Sequence, residues 1–318
     1  MRLGVVGAGP IIPFHLSALE AQGFSPVAFL ARPESTSTKI LALKYDAKPC
    51  WSVGEFLEVP CDAFLIACQA EFLGRYLQLL SELQKPILIE KPVFLKSEDY
   101  LPLLEDEFLS QNIMVGYNRR FYSSVLELKE IINQSQDCFL DILVAENSWA
   151  SHMTLAEKQH TVLTNSVHMI DLMRFLMDDN LSLEFASKTE LNEYRGSTSI
   201  FRSDKVTTSL RLYFDSPTNY SINLYKHNSA IVLSPLEAIK SYSGMTVREP
   251  SDQFPIRQYL PVLAYESSNF KSGFKPGFLE QAKEFKHLVE NRVLGLNAAR
   301  LSDAFHATRI AEKLLGFS

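Results

Sequence analysis

The chain has 318 residues, of which 46% are hydrophobic and 21% charged, and its formal net charge is −6. That length suits two domains of roughly 100–200 residues each, and the composition is that of an ordinary globular protein, with no excess that would suggest disorder or a repeat array. The negative balance, with Arg119-Arg120 as the longest basic cluster, excludes a nucleic-acid surface built on grouped Lys and Arg.

In chain order, the first third alternates short apolar runs with helical patterns. LGVVG reads as a buried strand, followed by a helix to about Ala21, the strand PVAFLA, a helix around STKILALKY and the strand AFLIAC from Ala63. In the next helix Phe72, Leu73, Tyr76, Leu79, Leu80 and Leu83 fall on one face; PILIE supplies a further strand, a helix near 98–109 follows, and IMVGY closes the series. Strands separated by helices in this way predict an α/β domain over residues 1–117, a doubly wound parallel sheet with right-handed crossovers.

Residues 118–318 form the expected second domain. After a helix at about 123–134 the pattern turns to period two. CFLDILVAENSW is mostly apolar, but Leu210, Leu212 and Phe214 alternate with Ser209, Arg211 and Tyr213, and Tyr220, Ile222 and Leu224 alternate with Ser221 and Asn223. Such alternation predicts antiparallel strands with one covered and one polar face. A helix over about 164–177 interrupts them and two more close the chain, the first with Phe278, Ala282, Phe285 and Val289 on one face, so the domain is α+β. Cys50, Cys61, Cys68 and Cys138 lack C-x-x-C spacing and read as reduced thiols of a cytoplasmic protein. Gly and Pro break the apolar start too often for a signal peptide, and no run approaches the roughly 20 apolar residues of a membrane span.

The stretch VVGAGPIIPFH keeps Gly7 and Gly9 of the fingerprint G-x-G-x-x-G but places Ile12 at the third glycine. The first glycine makes the tight turn and the second admits a pyrophosphate, so Ile12 affects only the close packing of helix on strand, and it is expected to hold the two further apart. The phosphate site itself consists of backbone N–H groups and a helix dipole. Pro10 and Pro13 remove donors where their loss is tolerated. Alone, the stretch reads either as a nucleotide turn or as a structural one.

Further motifs extend the reading. ILIEKPV ends the fifth expected strand in Glu90, Lys91 and Pro92, VGYNRRF follows the next, and NSVHMIDLMRFL opens a helix of the second domain. With GAGPIIPFH at the start and GFKPGFLEQAKEFKHLV near the end, in this order and spacing, the chain resembles along nearly its full length the glucose-fructose oxidoreductase, inositol dehydrogenase and MocA family of sugar and cyclitol dehydrogenases. The resemblance implies an N-terminal Rossmann domain. It also implies a C-terminal domain with a predominantly antiparallel open sheet for substrate binding and homo-oligomerisation, through the face that carries Ser209, Arg211 and Tyr213.

Oxidising a secondary alcohol requires a hydride acceptor on one face of the carbon and a base within reach of the hydroxyl proton. By resemblance, Lys91 sits beside a nicotinamide and contacts the reacting hydroxyl, and His168 exchanges a proton with the substrate. The family pattern D-x-G-x-H-x-x-D reads here Thr164, Ser166, His168, Asp171. Thr164 can bond a sugar hydroxyl but carries no charge. Asp171 could orient the imidazole, raise its pKa, contact substrate or bridge locally. Tyr117, Asn118 and Arg120 could bind hydroxyls, or for Arg120 a carboxylate or phosphate, or could form a hinge whose arginine pairs with an acid. Expected cofactor contacts are Gly7, Gly9, Pro10, Ile11, Ile12, Ala31, Arg32, Cys68, Gln69, Glu90 and Lys91. The family's T-P-x-x-x-H after the fourth strand is replaced by Cys68, Gln69 and Leu73, which implies a rebuilt pocket, and His15 reads as a packing or capping residue. His152 and His160 flank a loop, and no histidine shows metal spacing.

The second strand ends in Ala31 and Arg32 without the acid that accepts from an NAD ribose, so NADP(H) is favoured and NAD(H) remains open; Arg32 could also be a solvated loop residue. The expectation is an NAD(P)-dependent enzyme that moves a hydride to or from a hydroxyl-bearing carbon of a sugar, sugar derivative or polyol, without nucleic-acid or membrane partners. The departures at Ile12, Gln69, Leu73 and Thr164 also fit a dinucleotide-binding sensor that has lost catalysis. Hydride chemistry that ends in elimination or hydrolysis is a third possibility.

Overall fold

A computed structural model describes residues 1–146, 153–177, 181–190, 194–268 and 273–316. The chain forms two compact units, one of Met1–Phe121, Thr161–Asp171 and Lys271–Ser318, the other of Tyr122–His160 and Leu172–Phe270. This differs from the expected single division after Tyr117. The reason is packing: Phe278, Ala282, Phe285 and Leu288 share one buried cluster with Leu3, Ile12, Leu16 and Phe24, so the end of the chain returns to the first unit.

The first unit is built on strands β1 (Arg2–Val6), β2 (Ser25–Leu30), β3 (Lys48–Cys50), β4 (Ala63–Ile66), β5 (Ile87–Ile89) and β6 (Ile113–Val115). All pairings are parallel, in the order β3-β2-β1-β4-β5-β6. Burial on both faces explains the uninterrupted apolar runs of β4 and β5. The strand order reverses between β1 and β4, the point at which such sheets bind ligands outside the carboxyl ends of their strands. Strand β3 carries no sequence signal, having three residues with Pro49 in the middle.

Helices α1 (Ile12–Glu20), α2 (Thr36–Tyr45), α3 (Val53–Leu57) and α4 (Ala70–Ser81) connect the first five strands. The buried stripe of α4 is Leu73, Leu77 and Leu80, whereas Phe72 and Leu83 of the expected face are exposed. The expected helix near 98–109 is three pieces: a 3-10 turn at Ser97–Tyr100, α5 (Leu101–Leu104) and α6 (Glu107–Asn112). Pro102 in the first turn of α5 and the Asp106 side chain, which accepts from Leu109 N at 3.0 Å to cap α6, set the new starts.

The second unit carries α7 (Ser123–Asn133), β7 (Cys138–Ala145), α8 (Leu155–Thr161) up to His160, and most of α9 (Val167–Met177). It continues with β8 (Ser182–Glu190), β9 (Tyr194–Arg202), β10 (Val206–Tyr213), β11 (Ser221–Lys226), β12 (Ser229–Leu233), β13 (Ala238–Arg248) and β14 (Gln258–Ser268). Its sheet runs β14-β13-β12-β11-β7-β10-β9-β8 and is antiparallel except between β7 and β10, which run parallel. β10 buries Val206, Thr208, Leu210 and Leu212 and turns Ser209, Arg211 and Tyr213 to the other face, where Arg211 grips Asp141 at 2.5 and 3.1 Å. β7 alternates in the same way, with Cys138, Leu140, Ile142 and Val144 buried. Helices α10 (Phe278–Asn291) and α11 (Leu301–Leu315) belong to the first unit. Among the described residues no helix is long and apolar enough to cross a membrane.

Candidate functional site

At the carboxyl end of β1 the backbone of Gly7 is left-handed (φ 110°), and a Cβ there would lie 2.2 Å from the carbonyl oxygen of Ala67 at the end of β4. Glycine is therefore required twice, by the turn and by the close approach of the neighbouring strand. A Cβ on Gly9 would meet nothing within 4 Å, so the backbone there is open to a ligand. No side chain caps α1, which leaves its positive end to an external acceptor. These features fit a dinucleotide's diphosphate. The side chain of Ile12 is wholly buried in the core, so the residue that replaces the third glycine offers the turn only its backbone. Gly7→Ala is expected to cost about 2–4 kcal/mol, from left-handed strain and overpacking together, read as a lower urea midpoint, with Gly9→Ala as the control that has room.

Ala31 and Arg32 follow β2, where Ser35 caps α2 by accepting from Thr38 N at 3.3 Å. The nearby Glu34 is paired with Lys39. After β4, burial pushes the Cys68 thiol up to about 11, which keeps it protonated, and Gln69 starts α4 from an extended backbone.

The chain leaves β5 at Glu90, whose Oε1 lies 2.6 Å from His15 Nε2 and whose Oε2 accepts from Lys91 N at 3.3 Å. Burial alone would raise this carboxyl, but the hydrogen bond from His15 and the charges of His15 and Lys91 outweigh it and hold Glu90 below the usual carboxylate range. Lys91 Nζ donates to the carbonyl oxygen of Thr164 at 2.6 Å. That carbonyl belongs to a π-helical turn, Val162–Ser166, that leads into α9, a geometry common at functional sites. The following loop is anchored by Phe94. Its ring lies where a Cβ on Gly74 would be, and its backbone N and O are 3.2 and 3.3 Å from Tyr100 Oη.

His168 is buried, with its ring 5.7 Å from that of Tyr117 in an edge-on arrangement. Its Nδ1 has no hydrogen-bond partner, and neither has Tyr117 Oη. Burial, reinforced by the positive charges of Lys91, Arg119 and Lys275, drives the imidazole well below its ordinary pKa, so it is neutral. Burial and the Asp171 charge hold Tyr117 far above the ordinary phenol value, so it remains an O–H donor.

The structure brings together Lys91 and Thr164, and His168 and Tyr117. Asn118 is buried and donates to the carbonyl of Pro276 at 3.1 Å. Asp171 does not orient His168 or raise its pKa. Its carboxylate takes both forks of Arg120, at 2.8 Å from Nε and 2.5 Å from Nη2, while Arg120 Nη1 lies 3.4 Å from Asp303 and 3.5 Å from the Ala298 carbonyl. Burial disfavours the Arg120 charge, but these two carboxylates more than offset that and raise its pKa. The arrangement ties the start of α9 to the turn after β6 and to α11. The hydrogen bond from His15 to Glu90 was not foreseen; its two residues are 75 apart, and a histidine packed 4.7 Å from Phe278 leaves no periodic trace. His160 is exposed on α8, and His152 lies outside the described residues. Among the described residues no group of His, Cys, Asp and Glu is placed to hold a metal ion.

Residues 1–116 match the model of an oxidoreductase family with an NAD-binding Rossmann fold. The inositol 2-dehydrogenase of Mycolicibacterium smegmatis is 24% identical over 188 residues, 57% of this chain and 54% of that enzyme. The chain thus spans about half the length of the curated relatives it matches. A dehydrogenase (MviM) of Clostridium difficile superposes with a TM-score of 0.78 at 16% identity, covering 100% of this chain and 99% of that one. A myo-inositol dehydrogenase of Corynebacterium glutamicum superposes with a TM-score of 0.72 at 16% identity, covering 100% and 96%; both show the shared fold. The matched residues 1–116 hold the open turn at Gly9 and the Glu90-Lys91-Pro92 corner, two of the motifs that carry the resemblance to the glucose-fructose oxidoreductase, inositol dehydrogenase and MocA family.

Proposed function

We propose that this protein is an NAD(P)-dependent oxidoreductase that moves a hydride to or from a hydroxyl-bearing carbon of a sugar, sugar derivative or polyol. The observation that carries the reading is the fixed ammonium of Lys91, 2.6 Å from the Thr164 carbonyl, in the same unit as the Gly7–Gly9 turn and the neutral His168. The bound nicotinamide supplies the hydride acceptor or donor. The backbone from Gly7 to Ile12 and the start of α1 receive the diphosphate, and Ala31, Arg32, Cys68 and Gln69 border the coenzyme. Lys91 Nζ hydrogen-bonds the alcohol oxygen, and His168 Nδ1, buried and neutral, takes or returns the hydroxyl proton. Tyr117, Asn118 and the Thr164 hydroxyl serve substrate binding. Arg120 and Asp171, expected there too, act through each other as positioning residues, and Glu90 with His15 fixes the backbone that presents Lys91.

NADP(H) is the favoured coenzyme, with NAD(H) as the alternative, because Arg32 follows β2 closely and the nearby acid, Glu34, is occupied by Lys39. A cytoplasmic homo-oligomer completes the reading. The four cysteines are free thiols, and Met245, Val247, Tyr259 and Leu263 expose apolar surface on β13 and β14, as interaction faces do. The test is a fluorescence titration with both reduced coenzymes, followed by near-ultraviolet assays of hydride transfer on sugars, sugar nucleotides and cyclitols. NADPH is expected to bind roughly tenfold more tightly than NADH, as a charge-assisted contact to phosphate allows. Tight coenzyme binding without turnover of any substrate would favour the sensor, which the lack of a carboxylate at Thr164 also suits.

A further inference from the structure

We infer that Lys275, from the segment that leads into α10, supplies the cationic side chain for the coenzyme's diphosphate at the start of α1. The inference rests on the coenzyme reading of the Gly7–Gly9 turn and names the charge that completes it.

The turn by itself offers few donors. Pro10 and Pro13 carry no N–H, and the amides of Ile12, Phe14 and His15 already donate to the carbonyls of Gly9, Ile11 and Ile11 at 3.1, 3.1 and 3.3 Å. Among the described residues from Gly9 to His15, the amides of Gly9 and Ile11 are those left for a ligand. A helix end supplies only partial charge, whereas a diphosphate is a dianion. A full positive charge beside this helix start is what the turn does not itself provide.

Lys275 provides that charge within the same unit. Its ammonium stands 5.0 Å from the centre of the Phe14 ring, in the first turn of α1, and 5.4 Å from that of Phe278, at the start of α10. The two rings lie 6.4 Å apart, edge to face, and Phe278 packs 4.7 Å from His15 on the same helix as Phe14. Aromatic faces hold a cation in place without neutralising it, and among the described residues no carboxylate pairs with this one. The backbone beneath it is tied down as well. The Lys275 carbonyl accepts from Phe278 N at 3.1 Å, and the Pro276 carbonyl accepts from Asn118 Nδ2 at 3.1 Å. A cation ordered in advance loses less entropy when a ligand arrives. Lys275 and Phe14 are both exposed, so a phosphate oxygen can reach the ammonium and form a charge-assisted hydrogen bond. Arg32 lies at the other candidate phosphate, the ribose 2′-phosphate, which only NADP carries. The diphosphate is common to both coenzymes, so Lys275 has to act on them equally.

The test uses the full chain and titration calorimetry with NADH, NADPH and ADP-ribose, which has the diphosphate but no nicotinamide. Lys275→Met is expected to weaken all three by a common factor of about ten, the loss of one hydrogen bond to a charged group. Lys275→Arg is expected to keep most of the affinity, since a guanidinium also binds phosphate, and raised salt to narrow the gap between the wild type and Lys275→Met. Phe14→Leu keeps the charge but removes one ring, so it is expected to weaken the three ligands by a smaller common factor and to add little in the Lys275→Met background. The inference is overturned if Lys275→Met binds ADP-ribose as tightly as the wild type does. It is overturned too if NADPH alone is weakened, which would assign the ammonium to the 2′-phosphate, or if the loss is indifferent to salt and shared by Lys275→Arg, which would make the residue a packing element. A wild-type protein that binds none of the three ligands would remove the coenzyme reading and this inference with it, whereas equal binding by the wild type and Lys275→Met removes this inference alone.

Discussion

Lys91→Met is expected to lower kcat by about 10²–10³-fold, the range for removing one preorganised hydrogen-bond donor to the reacting oxygen, while coenzyme affinity is retained. The methionine fills the same volume but cannot donate to the Thr164 carbonyl, now 2.6 Å from Nζ, or to an alcohol oxygen. Lys91→Arg should not rescue the loss, because a planar guanidinium aims its donors differently from a compact ammonium. Stopped assays of reduced nicotinamide give kcat, and fluorescence titration gives coenzyme affinity. Retained turnover in Lys91→Met would remove the lysine from the chemistry. The pH profile offers a companion check. The imidazole of His168 is held neutral by burial and by the cations Lys91, Arg119 and Lys275, so it stays unprotonated as pH falls through the ordinary histidine value of about 6.5. The wild-type kcat/KM profile is therefore expected to show no acid limb there. An acid limb at that pH that disappears in His168→Gln would contradict the environment described.

Arg120→Met is expected to destabilise the protein by about 3–5 kcal/mol, the cost of breaking a buried ion pair from one side. The variant would leave Asp171, 1% exposed, facing a thioether where a bidentate guanidinium had been, and would strip Asp303 of the same partner. Removing both charges, in Arg120→Met with Asp171→Leu, is expected to recover much of the loss, because replacing a whole buried pair with apolar groups is often neutral. Equilibrium denaturation by urea measures all three chains. A single-variant loss comparable to that of an exposed ion pair, below about 1 kcal/mol, would show that the pair does not anchor the start of α9. The coupling in the cycle also separates a positioning pair from two independent substrate contacts, which would leave the free protein's stability nearly additive.

Several parts of the molecule were legible before any coordinates. Apolar runs such as LGVVG and AFLIAC became β1 and β4 because a parallel strand covered on both faces has to be apolar throughout. Period-two alternation marked β10 and β11, and the glycine at position 7 already implied a backbone that a Cβ would obstruct, which the 2.2 Å approach of Ala67 explains. The order of motifs carried the resemblance to a known family, since each stands at a strand or helix end whose local pattern is strong.

The rest was decided by tertiary structure. The pairs His15–Glu90, Lys91–Thr164 and Arg120–Asp171 join residues 75, 73 and 51 positions apart, and hydrophobic periodicity records which face of an element is covered but not what covers it. For the same reason the parallel run of β7 beside β10, and the return of α10 and α11 to the first unit's core, could not be read from spacing. A local pattern limits how a segment folds; which distant carbonyl or carboxylate meets its side chain depends on how whole elements pack.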